Sequence, residues 1–408
     1  MEKETRTKNK HLEKRFLGNE LKYLKEILEF GFNFKRKSFI TMLQDLWSLH
    51  FNKKYSITTN SCTSSLHSAF LSLDLKKNDE VLVPSLTPFM CSTMVHLAGA
   101  TPIYVDVDKK KFLIDIIDLK KKITKKTKAI LAVHSYSGVC DLLELKKICR
   151  LHKLYLIEDC AQSFNSKDNN NILSGTVGDI SCWSFQYSKQ LTTGDGGILS
   201  TNNSLLAKKL RQITNLGYSS LKSKNSQTII PKKIRQKPSF YRTSAIGFNY
   251  RMSEFTAAIA LAQLENSKKI VAMRKKCGEA FYNILLDKKQ DITVQEINVK
   301  NSTFFSVAFF IKKNISWEKF RSKFIEFGGE GFYSAAKPSN QEIVVKKNKI
   351  GRCYLSCKKN CVVTCHGTPV AKFLQKKIIL LQTNYQNTIL LEKQTQALKK
   401  SLDFFKIV

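Results

Sequence analysis

The amino-acid sequence predicts an α/β fold: a large domain with a mostly parallel sheet flanked by helices, followed by a smaller α+β C-terminal domain. Three observations carry that reading. Strand-like and helix-like stretches alternate from about residue 55 to residue 200, a long helical stretch runs from Ser253 to Leu286, and short strands and helices alternate again beyond residue 290. Residues 1–17 read as a flexible basic arm, 18–265 as the large domain with an N-terminal helix, and 266–408 as the smaller one.

The elements follow in order. From Gly18 to about Leu49, apolar residues recur at three- and four-residue spacing (Leu21, Leu24, Ile27, Leu28), which indicates amphipathic helix. Tyr55–Asn60 is short and β-branched, a strand, and Ser61–Leu73 is a helix opened by Ser and Thr caps. Next come a strand over Glu80–Ser85, a helix near Met90–Ala98, a strand over Thr101–Asp108 and a helix near Ile117–Ile123. A strand over Ala129–Ser137, a helix ending near His152 and a strand over Leu154–Ala161 complete the alternation; Ile180–Phe185 and Gly196–Thr201 are further strands. Residues 218–240 are polar, basic and aperiodic, an excursion loop. In the last part Ser302–Lys312 reads as strand and Ser316–Gly328 as helix.

Composition narrows the function classes. The 408 residues hold 68 Lys+Arg against 33 Asp+Glu, a formal net charge of +35, with 42% hydrophobic and 25% charged residues. That mix suits globular domains and excludes disordered or fibrous chains. No apolar run approaches the ~18–20 residues needed to span a bilayer. The opening MEKETRTKNKHLEKRF lacks the apolar core of a secretory signal, so a soluble cytoplasmic protein is expected. Eleven cysteines scattered through apolar segments read as reduced thiols. The charge raises a polyanion- or nucleic-acid-binding protein as one class. The lysines, however, come singly or in short runs (Lys109 to Lys111, Lys120 to Lys122), with no basic stripe and no interleaved aromatics. A lysine-rich solvated surface is the preferred reading.

Three segments carry candidate chemistry. In SFQYSKQLTTGDGGILST, Lys189 stands between two strand-like pieces, followed by Gly194, Gly196 and Gly197, which permit a tight turn beside a cofactor. A lysine that attacks an aldehyde must be partly desolvated and free to swing, although most lysines of so basic a chain are surface charges. In LYLIEDCAQSF an apolar strand ends in Glu158 and Asp159. Carboxylates at the C-terminal ends of parallel strands sit where open α/β sheets bind ligands, and a solvated strand end is the plainer alternative. In TTNSCTSSLHSA a strand runs into a helix N-terminus whose free N–H groups and hydroxyls could take a phosphate; ordinary capping accounts for Ser61 and Thr63 as well.

Taken in this order, the segments NSCTSSLHSA, VLVPSLT, AGATPIYVDVD, HSYSG, IEDCAQS, GDISCWSFQYSKQLTTGDGG and GFNYRMSEFTAAIALAQLE resemble the DegT/StrS family of pyridoxal-phosphate-dependent sugar aminotransferases. The resemblance runs from about residue 18 to residue 369 and implies the pyridoxal-phosphate-dependent transferase fold. It implies Lys189 as the lysine that carries pyridoxal 5′-phosphate and Asp159 as the partner of its ring nitrogen. Gln162 would lie beside the phenolic oxygen, with Cys62, Thr63 and Ser184 at the phosphate. Asn249 would reach that phosphate from a neighbouring subunit, making the protein a homodimer with shared sites. The implied reaction moves an amino group from an amino acid, by analogy L-glutamate, to a nucleotide-linked keto-sugar in amino-sugar or surface-glycan biosynthesis. A related dehydratase has His in place of the lysine; it and a non-catalytic homologue are the alternatives.

The sequence departs from the family in places. Cys62 stands where Gly or Ala is common, and Pro88 where an aromatic residue stacks on the cofactor ring. Phe164 and Asn165 replace a frequent His-Gly pair, and Gln186 a His or aromatic residue; all three are expected to border the sugar pocket. Cys353, Cys357, Cys361 and Cys365, followed by His366, are evenly spaced, unlike the paired pattern of structural zinc sites. Packing is the favoured reading, with a metal site as the alternative. His134 and His366 read as packing or pocket-rim residues.

Overall fold

The computed structural model describes residues 16, 18–31, 38–219, 230–348, 350, 367–385 and 387–408. All of the basic arm except Phe16 and Gly18 onward, the four evenly spaced cysteines Cys353, Cys357, Cys361 and Cys365, and His366 lie outside these residues.

The N-terminal amphipathic stretch forms two helices, α1 (Glu20–Phe30) and α2 (Phe39–His50). Ser38 caps α2 by accepting the Thr41 N–H at 3.3 Å. Strands β1 (Tyr55–Thr59), β2 (Glu80–Pro84), β3 (Thr101–Val105), β4 (Thr127–Val133), β5 (Tyr155–Asp159), β6 (Ile180–Ser184) and β7 (Gly197–Thr201) make one sheet in the order β1-β7-β6-β5-β4-β2-β3. Only β7 runs against the others, pairing antiparallel with both β1 and β6. Both faces are covered, so the strands read as nearly continuous apolar runs. Alternate residues go to opposite faces: Ala129, Leu131 and Val133 join the core that holds Leu66 and Phe70, while Ile130 and Ala132 join the one that holds Leu145 and Ile148.

Helices α3 (Cys62–Ser72), α4 (Met90–Leu97), α5 (Ile116–Lys122), α6 (Leu142–His152) and α7 (Ser204–Thr214) connect the strands. Beyond α7 the residues from 231 to 246 are exposed apart from Phe240, with one helical turn, α8 (Lys232–Arg235). The stretch expected as one long helix is two, α9 (Glu254–Glu265) and α10 (Ser267–Leu286), divided at Asn266. Four buried alanines of α9 (Ala257, Ala258, Ala260, Ala262) let α1 and α2 approach closely, and Trp47, Phe51, Trp183 and Phe185 fill the space beneath.

Strands β8 (Ile292–Val294), β9 (Ser306–Ile311), β10 (Tyr333–Ser334) and β11 (Ile379–Gln382) form a second, antiparallel sheet in the order β10-β11-β9-β8. It shares an apolar core with α10, with α11 (Trp317–Glu326) and with the helix Thr388–Phe404. Among the described residues no helix is long and apolar enough to cross a membrane. The seven described cysteines are free and buried, as reduced thiols would be. Burial pushes the Cys160 thiol up to about 12.

Candidate active site

The parallel strands end together, and the cleft opens at those ends. A cavity of about 390 Å³ is lined by the start of α3, the turn before α4, the ends of β4, β5 and β6, and the loop that leads to β7. Seven of the eight residues expected at a cofactor site line it: Cys62, Thr63, Pro88, Asp159, Gln162, Ser184 and Lys189. Asn249 does not; it is exposed on the segment before α9, paired through its backbone with Asn215.

Helix α3 points its N-terminus into the cleft. Ser61 caps it, accepting the Ser64 N–H at 3.1 Å, which leaves the Cys62 and Thr63 amides without an intrahelical acceptor. Gly197 is required beside this turn: a Cβ there would lie 2.5 Å from the Ser61 carbonyl carbon and oxygen and 2.6 Å from the Cys62 nitrogen. Ser184, at the end of β6, accepts the Gln186 N–H at 3.2 Å and keeps its own proton to donate.

Alternation along β5 separates the two carboxylates. Asp159 faces the cleft, its Oδ1 accepting the Ala161 N–H at 3.0 Å and its Oδ2 the Cys91 thiol at 3.5 Å. Burial raises its proton affinity, opposed by that N–H and by the Lys189 amine. Lys189 is lowered in turn by burial, with Asp159 the main opposing influence, and its Nζ lies 4.5 Å from the centroid of the Phe305 ring. Gln162 is anchored through Oε1, which accepts the Tyr136 N–H at 2.6 Å.

Glu158 turns the other way. It is fully buried and accepts the N–H groups of Gly175 (2.6 Å) and Val177 (3.0 Å) and the His134 Nε2 (3.1 Å). The Cys140 N–H donates to His134 Nδ1 at 3.1 Å, which places the proton facing Glu158 on Nε2. His134, Glu158 and Cys160 cluster within 4.8 Å, but both ring nitrogens are already engaged in hydrogen bonds.

Two expectations are corrected. Phe164 does not border the cleft: it is buried against Trp47 and Phe51 and stacks on His50. Asn165 follows it in the left-handed region (φ 59°) and bonds His50 Nε2 through Oδ1 at 2.6 Å. An aromatic residue at 164 satisfies a core built around Trp47, which explains its presence without reference to any substrate. Gln186 does line the cleft, with Oε1 taken by the Ser188 N–H at 3.0 Å and the Ser188 hydroxyl at 2.6 Å. Sequence reasoning missed Cys91, Met90 and Phe305, because nothing in their local patterns distinguishes them from core residues.

Residues 17–335 match the family described as the DegT/DnrJ/EryC1/StrS aminotransferase family. The chain belongs to that family. This aminotransferase is 32% identical over 289 residues to a GDP-perosamine synthase of Vibrio cholerae, covering 71% of this chain and 73% of the relative. Its fold matches an aminotransferase from Psychrobacter cryohalolentis with a TM-score of 0.81 at 22% identity, over 96% of this chain and 98% of the other. An Escherichia coli GDP-4-keto-6-deoxy-D-mannose-3-dehydratase with bound hydrated PLP matches with a TM-score of 0.79 at 22% identity, over 95% and 98%. The family's cofactor, pyridoxal 5′-phosphate, suits the aminotransferase's donor set: an open helix N-terminus for an anion, a buried carboxylate of raised proton affinity for a cationic ring nitrogen, and a buried amine for an aldehyde.

Proposed function

We propose that this aminotransferase moves an amino group from L-glutamate to the keto group of a nucleotide-linked 4-keto-6-deoxy sugar, carried on GDP, in making a surface polysaccharide. The buried Lys189 amine sharing one cleft with Asp159 carries the reading. The similarity to GDP-perosamine synthase supports the nucleotide and sugar class. Lysine rather than histidine at this position favours amination over dehydration.

In this reading the Cys62 and Thr63 amides, the Thr63 hydroxyl and Ser184 hold the phosphate, and Pro88 covers the ring in place of an aromatic side chain. Asp159 holds the proton on the ring nitrogen, and Gln162, its oxygen engaged by Tyr136, donates from Nε2 to the phenolic oxygen. Bound pyridoxal phosphate supplies an aldehyde for nitrogen exchange and a ring that accepts electrons. Lys189 Nζ would move a proton from the donor carbon that bears nitrogen to the cofactor's carbonyl carbon in the first half of the exchange and from there to the acceptor carbon in the second, a task that burial favours by lowering the amine's proton affinity. Asn249 completes the phosphate site of the other subunit in a cytoplasmic homodimer.

The test combines trapping with product analysis. Borohydride treatment of the loaded enzyme should fix the cofactor on Lys189 and abolish its visible band, and Lys189→Ala should keep the fold and lose all turnover. Mass spectrometry of products from a panel of GDP- and UDP-linked keto-sugars with glutamate should show amination of a GDP-linked substrate. A deoxygenated product without nitrogen, or turnover in Lys189→Ala, would refute the proposal.

A further inference from the structure

Arg274 lies on α10, among the residues that pack with the second sheet, and is nearly fully buried. Its Nη2 donates to the carbonyls of Ser188 (2.9 Å) and Lys189 (3.0 Å). Its Nη1 donates to the Phe305 carbonyl (3.2 Å) and the Thr383 hydroxyl (3.4 Å). One planar fork therefore joins the loop carrying Lys189 to the residue before β9 and the residue after β11. Phe305 is also the residue whose ring lies under Lys189 Nζ. The same guanidinium thus fixes the main chain from which the amine projects and the main chain of the ring against which it rests.

We infer that Arg274 is a positioning residue for Lys189, setting through its backbone bonds the place of the amine against the Phe305 ring. The inference rests on the aminotransferase reading only for what the amine then does. Lysine could supply the charge but not four convergent N–H bonds, and glutamine could supply neither. Among the groups that act on the Lys189 amine are Asp159 at the end of β5, Cys62 of α3, Cys91 of α4 and Arg274. Asp159 favours the ammonium and Arg274 opposes it, adding to burial, while burial keeps the two thiols in their neutral form. The Phe305 ring favours the ammonium from a different side.

The experiment measures the pH dependence of Lys189 acylation by acetic anhydride in the cofactor-free full-length enzyme, read by peptide mass spectrometry. It is paired with steady-state kinetics of the loaded enzyme and thermal melting. Arg274→Gln should move the Lys189 midpoint to higher pH, whereas Arg274→Lys should leave it near wild type. Both should lower kcat by about 10- to 100-fold with the donor KM little changed, the signature of a misplaced reacting group. Phe305→Leu, which leaves the fork intact, should move the midpoint the other way, to lower pH; if Arg274→Gln fails to fold, Arg274→Lys decides, since kcat within about twofold of wild type there would overturn the inference. An unmoved midpoint in Arg274→Gln, or a lowered melting temperature with kcat within about twofold of wild type, would reduce Arg274 to a structural staple and overturn the inference. Failure of borohydride to trap wild-type Lys189 would instead count against the aminotransferase reading, because the acylation midpoints do not depend on it.

Discussion

Gln162 Oε1 accepts the backbone N–H of Tyr136 at 2.6 Å, so the end of the side chain free to meet a ligand is its NH2 group. Tyr136 itself holds a left-handed conformation (φ 63°) and is buried, which aims its N–H at the glutamine. A main-chain turn at the end of β4 thereby decides which atom of Gln162 faces the cofactor site.

Replacing Gln162 with Glu should exchange that donor for an acceptor and place a negative charge beside the phenolic oxygen. The visible band of the loaded enzyme should then titrate at higher pH than in wild type. Spectrophotometric titration of the two proteins checks this, and coincident curves would remove Gln162 from the cofactor's surroundings.

Asp159 predicts an exchange of stability for activity. Its proton affinity is higher in the fold than in the unfolded chain, so between the ordinary value of 3.8 and the raised one the native state holds the proton that the unfolded state has lost. Stability contributed by this group therefore falls as pH rises through that window, and the cost is fully present at neutral pH. Asp159→Asn should melt higher than wild type at pH 7 in the cofactor-free form, and the two should converge below pH 3.8. Turnover should drop by ~10²–10³-fold, since the charge proposed to face the ring nitrogen is gone. Melting curves across pH with paired rate measurements test both halves.

Gly197→Ala would drive a methyl group into the backbone of Ser61 and Cys62, which cannot swing aside as a side chain can. The expected loss is about 1–3 kcal/mol of stability together with weaker cofactor binding, because the displaced turn is the one proposed to meet the phosphate. Gly194→Ala is the comparison: nothing lies within 4 Å of its Cβ, although its φ of 87° adds backbone strain. Cofactor affinity, measured by absorbance titration, should fall in the first variant and hold in the second.

Asn249→Asp should weaken cofactor binding if the residue meets a phosphate held by another chain. Mixing that variant with Lys189→Ala should restore activity at one wild-type site per mixed dimer. Lack of recovery, with subunit exchange demonstrated, would leave Asn249 to its own chain.

Most of the sheet was legible because its strands are short, apolar and separated by helices, and Ser61 marks a helix start that the structure keeps; the helix capped by Asn203 was not read, being followed directly by the aperiodic stretch from residue 218. The break at Asn266 was hidden, since a polar residue within a continuous apolar period gives no local stop signal. Lys189 and Asp159, which line the cleft, stand out in their own segments, whereas Gln162 came only with the family resemblance. The error at Phe164 has a physical origin: two residues beyond a cleft-facing glutamine, the chain has already turned into the core around Trp47. Arg274 was illegible in principle. Its partners come from residues 188, 189, 305 and 383, and no pattern within α10 announces them.

That fork limits how the protein can be recombined. A chimaera that grafts a relative's C-terminal half onto this chain's first seven strands, in order to change the accepted sugar, would also replace Arg274, Phe305 and Thr383, which grip the lysine loop, by the relative's residues. Residues 274, 303 to 305 and 383 would have to travel as a set matched to residues 188 to 190, because Thr303 Oγ1 accepts from Gln190 at 3.3 Å as well. The unit of exchange is thus smaller than a half of the chain and not contiguous along it.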